Sequence, residues 1–475
     1  MAAIAVAGSA VAAGSMWGDA GSSGDSRPAA ATSAAGGAVA QVLLPGPAST
    51  SHAAGSASSR HSAGTSSAPG EVSAAARAVS YLGHTFTVPA GWHLVDLSGD
   101  SSRCVRFDVH AVYFGSPSAE QRCAGQTSGS VQGAVLVVPS PTATSASATD
   151  DPLNQRITAT LRGVQITASY GTDRSSVLSL LSQAGVPAPA EAPTSESTTE
   201  VSDRVAANLS AIHSSVTPQI VGAMTQVFTG LGFDACTAPS TTDMAAWTGS
   251  PFGAVGVYIG GAERACAQPN LTASWVTTET KAGWRLMPLY VGPQVAYGTV
   301  TNAAAQGKAS ADDAATQASS LGLGSGALLY YDMEGGSYTA AQNATAQAFV
   351  SAWTAELHAL HYHAALYGNE SGAVGAMVAV WGSAVEPDVL DVANWNGNAD
   401  DDPGADPADH WRGHRVHQFQ GDDTHATYGG VTIDIDHDYF GLAAPCGPSL
   451  PGAVVQPRFM TSCAASPAPA PSASQ

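Results

Sequence analysis

The chain has 475 residues, enough for two domains plus tails, and its 17 Lys and Arg against 37 Asp and Glu leave a net charge of −20. That balance argues against a nucleic-acid partner, because phosphate contact needs a basic surface. Charged residues are only 11% of the chain and small residues abound, which suits an exported protein with long linkers.

Residues 1–25 read as a signal peptide: an Ala/Val/Gly-rich stretch is followed by small residues that could serve for cleavage, although no basic segment precedes it and the first Arg is Arg27. Residues 26–77 are a low-complexity Ala/Gly/Ser/Thr/Pro linker that cannot bury a core. Residues 78–185 form a small β-rich domain. Strands are expected at 85–88, 92–95, 109–114 and 134–138, with a further pair, 157–161 and 164–168, turning at Arg162-Gly163. A second linker, rich in Pro, Ser and Thr, covers 186–222. No run of about 18 uncharged apolar residues follows, so no membrane span is expected.

Residues 223–445 alternate strand and helix signals. The strands are expected at 231–236, 254–260, 285–291, 327–334, 363–368, 389–395, 414–420 and 431–437, the helices at 241–247, 271–282, 302–321, 340–361 and 371–381. The Ala-rich 340–361 stretch carries Phe349, Val350, Trp353, Leu357 and Leu360 at helical spacing. Eight such strands imply a (β/α)8 TIM-like barrel, with an open doubly wound sheet as the other arrangement, and the acidic segment Asn396 to His410 stands where a sixth helix would be. A Pro/Ala-rich tail, 446–475, follows. The six cysteines, Cys104, Cys123, Cys236, Cys266, Cys446 and Cys463, fall into three sequence-local pairs. An even count in an exported chain favours disulfides, and 104–123, 236–266 and 446–463 is the most local of about 15 pairings.

A barrel places its active site at the C-terminal ends of the strands. Leu328 to Glu334 is an apolar strand ending in Asp332 and Glu334, which at i, i+2 share one face. Paired carboxylates resist double ionisation, so one holds a proton near neutral pH, as glycosidic bond cleavage requires. Asp234 ends the first strand, and Asp434, Asp436 and Asp438 lie on the last. Tyr258, Tyr290, Tyr367, Trp395 and Gln418 stand at the intervening ends, where aromatic rings beside carboxylates suit a sugar. The Asp434/Asp436/Asp438 spacing also has a calcium reading, but it lacks the Gly and closing Glu of an EF-hand loop. His410 and His414, and the trio His358, His361 and His363, straddle element boundaries and make poor zinc sites. No metal or organic cofactor is expected.

Gly232-Phe233-Asp234-x-Cys236 followed by Ala238-Pro239-Ser240, the Tyr331 to Glu334 strand end and the closing Ile433 to Phe440 segment resemble an actinobacterial family, the glycoside-hydrolase-like domain of unknown function 1906. That family is similar to the family 25 muramidases, lysozymes of the Chalaropsis type. Their first-strand Asp, central Asp-x-Glu, Gln-aromatic pair and terminal Asp-x-Asn-x-Phe correspond here to Asp234, Asp332/Glu334, Gln418-Phe419 and Asp436 to Phe440, with Asp438 in place of the Asn. The resemblance implies a secreted or wall-associated hydrolase of cell-wall glycan in which Glu334 donates the proton, Asp332 raises its pKa, and Asp234 and Asp436 orient substrate or water. A catalytically silent glycan-binding module on the same barrel and a metal-dependent phosphodiester hydrolase are the alternatives.

Overall fold

The structure is a computed structural model that describes residues 41–43, 71–72, 75–123, 131–190 and 228–442. The signal-peptide reading, most of both linkers, the tail and, with it, Cys446 and Cys463 lie outside the described residues. Among the described residues no helix is long and apolar enough to cross a membrane.

The N-terminal part is built on a seven-stranded sheet in the order 71–72, 93–96, 111–114, 134–139, 164–169, 156–161 and 147–151. Strict alternation makes the hairpin: Ile157, Ala159 and Leu161, then Val164, Ile166 and Ala168, bury one face while their neighbours face outward. The helix Arg174–Gln183 lays Val177, Leu180 and Leu181 into the core shared with Phe86, Trp92 and Phe114. Val95, Leu97, Val105, Phe107, Tyr113 and Leu136 form a second core, which includes Ala267 of the C-terminal part.

The C-terminal part is a closed eight-stranded barrel. Its strands are β1 (Phe228–Asp234), β2 (Phe252–Gly260), β3 (Arg285–Tyr290), β4 (Leu328–Asp332), β5 (His363–Asn369), β6 (Val389–Ala393), β7 (His414–Asp423) and β8 (Ile435–Leu442). Helices α1 (Thr241–Trp247), α2 (Ala273–Ala282), α3 (Ala303–Ser320), α4 (Ala340–Ala359) and α5 (Ala373–Val378) lie between the first six strands. A reciprocal capping box of Thr339 and Gln342 starts α4.

The expected (β/α)8 TIM-like barrel is not what forms. The sheet is mixed, because β8 runs antiparallel to both β7 and β1 and closes the ring between them. Among the described residues no helix follows α5, so the alternation of such a barrel is absent from its last three strands. The stretch from β7 to β8 is too short for the crossover that a parallel pair needs, and it turns back through a small hairpin of Thr427–Tyr428 and Val431–Thr432. That hairpin consumes the start of the expected last strand, which moves to Ile435–Leu442.

Side chains alternate along each strand, and this decides what fills the barrel. Ala254, Tyr258, Met287, Leu289, Leu328, Tyr330, Ala365, Val389, Val416, Phe440 and Leu442 form one interior apolar cluster. Continuing each strand by two residues toward the mouth from Tyr330, Val389, Val416 and Phe440 gives Asp332, Asp391, Gln418 and Asp438, with Asp436 the next step on β8.

The two parts are joined by named contacts. Val131 N–H donates to the Glu263 carboxylate at 2.9 Å, Gly261 N–H to Asn154 Oδ1 at 3.2 Å, and Asn154 Nδ2 to Asp313 Oδ2 at 3.0 Å. Phe107 N–H donates to Ala265 O and Ala267 N–H to Val105 O. The disulfides Cys104–Cys123 and Cys236–Cys266 meet at this junction, with 3.8 Å between the Sγ atoms of Cys104 and Cys266.

Candidate active site

The site grows from the acids that the strand period turns inward. Asp234 ends β1 and is buried. Its Oδ1 accepts from the Tyr258 hydroxyl at 2.9 Å and its Oδ2 from Gln418 Nε2 at 3.0 Å. Burial pushes its carboxyl up to about 6 and the charge of Glu334 adds to this, while the Tyr258 and Gln418 hydrogen bonds oppose it. Asp436, on β8 and paired in register with Asp234, accepts from Asp422 N–H at 2.6 Å and from Gln418 Nε2 at 3.4 Å. Burial first, then the Asp234 charge, push it up to about 9.

Gln418 is the hub. Its Nε2 donates to both of those carboxylates, and its Oε1 accepts from the Tyr367 hydroxyl at 3.0 Å and from Trp395 Nε1 at 2.9 Å. One amide therefore fixes two acids on two strands, the Tyr367 ring on β5 and the Trp395 ring just past β6.

Glu334 sits just past β4, half-buried. Its backbone is clamped: its N–H donates to Gln294 Oε1 at 2.7 Å and its carbonyl accepts from the Tyr338 hydroxyl at 2.8 Å. Gln294, wholly buried, also donates to the carbonyls of Gly292 and Asp332. Asp332 is buried beneath, and neither of its carboxylate oxygens has a hydrogen-bond partner. Its carboxyl is pushed well up by burial and then by the charges of Glu334, Asp234 and Asp391. Burial therefore favours the neutral form of Asp332, whose expected role was that of a charged neighbour keeping a proton on Glu334.

Two more acids share that state. Asp438 on β8 and Asp391 on β6 are fully buried, and both oxygens of each lack a partner. Burial is the main cause that raises both, with Asp234 the first charge in each case. An unpaired buried charge is costly, so burial favours the protonated form of these groups. Asp391 escaped the sequence reading. The signal was an acid in Val389-Leu390-Asp391-Val392-Ala393, on the inward parity of Val389. Asp434 is half-buried and near enough for its charge to raise Asp436.

Tyr290 is not part of the site. Leu289 takes the inward position, so Tyr290 faces the helices, packs near Tyr331 and Trp353, and donates to Asp313 at 2.8 Å. Among the described residues, the one group of three ligand atoms of His, Cys, Asp or Glu lying within 4.8 Å of one another is that of Cys104, Cys123 and Cys266, all in disulfides.

Residues 245–440 match the family described as Rv2525c-like, glycoside hydrolase-like domain. No curated protein matches the chain. Among solved structures, an uncharacterized B. stearothermophilus protein is 18% identical with a TM-score of 0.33, covering 44% of this chain and 95% of its own. The Tat-secreted protein Rv2525c of Mycobacterium tuberculosis, in complex with L-tartrate, is 13% identical with a TM-score of 0.34, covering 45% and 96%. The catalytic domain of endolysin ply40 from bacteriophage P40 of Listeria monocytogenes is 12% identical with a TM-score of 0.28, covering 45% and 93%. At these scores the likenesses assign neither fold nor activity to this chain. The matched segment is similar to a glycoside hydrolase-like domain and spans the barrel from α1 to β8, which carries all the mouth acids but Asp234.

Proposed function

We propose that the protein is an exported glycoside hydrolase acting on cell-wall glycan of the peptidoglycan type, at β-1,4 bonds, by carboxylate acid catalysis. The observation that carries this reading is the mouth of the barrel: Glu334, inside the glycoside hydrolase-like match, stands half-buried on a clamped backbone, in electrostatic contact with Asp234, which precedes the matched segment and which two donors hold in place. Glu334 is the group exposed enough to reach a glycosidic oxygen and give it a proton. Asp234, ionised above about pH 6, stabilises the positive charge that develops on the sugar. Burial favours the protonated forms of Asp332, Asp391 and Asp438, which limit the negative charge at the mouth and can each donate one hydrogen bond. Gln418 keeps Asp234 and Asp436 in fixed orientation.

The test uses the full chain with peptidoglycan or chitooligosaccharides, following new reducing ends. Glu334→Gln keeps shape but removes the proton, so turnover should fall by roughly 10²–10⁴-fold while glycan binding survives. Unchanged turnover in that variant rejects Glu334 as the acid. Binding without turnover in the wild type, across several glycans, makes the barrel a silent glycan-binding module instead.

A further inference from the structure

Among the described residues, three large hydrophobic side chains are exposed: Leu82, Tyr297 and Trp395. The two aromatic ones both stand at the barrel mouth. Trp395, 58% exposed, follows β6 and is fixed from two sides. Its indole N–H donates to Gln418 Oε1, and its ring lies on the backbone of Gly421, where a Cβ would come within 2.2 Å of a ring carbon. One ring face is thus seated on backbone, while more than half of the residue's surface is exposed.

Tyr297, 41% exposed, lies in the loop after β3. That loop is stitched to the end of β4 through Gln294, which accepts from Glu334 N–H and donates to Asp332 O, and the Gln294 backbone N–H in turn donates to Thr299 Oγ1 at 2.6 Å. Ala296, next to Tyr297, lies against Gly335, next to Glu334: a Cβ on Gly335 would fall 2.3 Å from Ala296 Cβ. The Tyr297 phenol is close enough to that of Tyr338 to act on it electrostatically, as Glu334 does. Around a ring of eight strands, β3 and β6 are three positions apart, with the β4 end and Glu334 between them.

Exposed aromatic rings held rigidly beside polar groups suit sugars, which stack an apolar face and hydrogen-bond at the edge. We infer that Tyr297 and Trp395 are two sugar-stacking platforms on opposite flanks of Glu334, so that the mouth takes an oligosaccharide running across it and the cut falls inside the chain. This rests on the glycan reading above and adds its substrate class: a polymer held on both sides of the bond, not a terminal sugar.

The experiment uses the full chain carrying Glu334→Gln, so that bound glycan is not consumed. Binding to soluble β-1,4-linked N-acetylglucosamine oligomers of two to six units is measured by calorimetry. Affinity should rise with length. Tyr297→Ala and Trp395→Ala should each weaken hexamer binding about tenfold, the scale of one stacking contact plus its buried area. Tyr297→Phe should retain it. Gly421→Ala, whose Cβ occupies the seat of the ring, should imitate Trp395→Ala. The disaccharide should respond to one platform at most. Equal affinity for dimer and hexamer, or hexamer binding indifferent to both rings, overturns the platforms and leaves the hydrolase reading standing. Failure of every oligomer to bind overturns the glycan reading and the platforms with it.

Discussion

Two regions rich in Asp treat the same side chain in opposite ways. In the loop between β6 and β7 several acids have Arg or His partners. Asp409 pairs with Arg415 and, at 2.6 Å, with Arg412, and Asp406 meets His410 at 3.0 Å and Trp411 N–H at 2.9 Å. Asp400 lies beside His417, whose ring nitrogens face the carbonyls of Asp400 and Asn394. At the barrel mouth Asp234, Asp332, Asp391, Asp436 and Asp438 are all buried, and among the described residues no Lys, Arg or His forms an ion pair with any of them. The loop acids hold a connection together. The mouth acids are buried without ion pairs at a cost in stability, and the proposed hydrolase site would account for their retention.

The contrast can be broken or sharpened by three substitutions. The largest effect belongs to Arg415→Met. The Arg415 side chain is buried while Asp409 is partly exposed, so the loss should be ~2 kcal/mol, below the range for fully buried pairs, and denaturant melts should show it. Glycan turnover per folded molecule should stay near wild type, and a collapse of turnover would merge the two regions into one functional unit.

Asp391→Asn acts in the opposite direction. A carboxyl whose folded pKa is raised binds its proton more tightly in the folded state, so stability is lost as pH rises above the unfolded value near 4. Removing that titration should raise Tm at pH 8 by a few degrees, about 1 kcal/mol being worth ~2–4 °C in a domain of this size. The gain should vanish near pH 3.5. The wild type should likewise lose stability as pH rises from about 4 toward the values of Asp234 and Asp436, about 6 and about 9. A Tm lower than wild type at pH 8 would show that Asp391 is ionised and paired.

Arg412→Ala should change stability by less than ~0.5 kcal/mol, because its pair with Asp409 is exposed to solvent. A larger loss would mean that the loop acts as a network.

Much of the barrel was legible because its pieces announce themselves locally. Phe349, Val350, Trp353 and Leu357 recur at helical spacing and become the buried stripe of α4, and the β4 run Leu328 to Asp332 is buried throughout. What the local pattern could not carry was the direction of the last strand. Val431–Thr432 reads as a strand start, yet it pairs with Thr427–Tyr428, and the turn between them decides that β8 returns antiparallel. In the site, acids at strand ends stood out against apolar runs. Asp391 did not, since it lies within β6 and becomes visible only when inward parity is counted from Val389. The same count removes Tyr290, which its neighbour Leu289 displaces to the helix side.

The contacts between the N-terminal sheet and the barrel bear on how the protein can be cut for production. A chain started between residues 191 and 227 would deprive Glu263 of the Val131 amide and Asp313 of the Asn154 side chain. It would also strip Ala267 of its apolar cover and leave Cys266 without the Cys104–Cys123 bridge against it. Those groups belong to segments next to β2 and β3, two strands of the ring that bears the acids. A shortened barrel would therefore need a replacement surface along that flank before it could serve as a soluble fragment, and the hydrolase-like segment is better handled together with the sheet that precedes it.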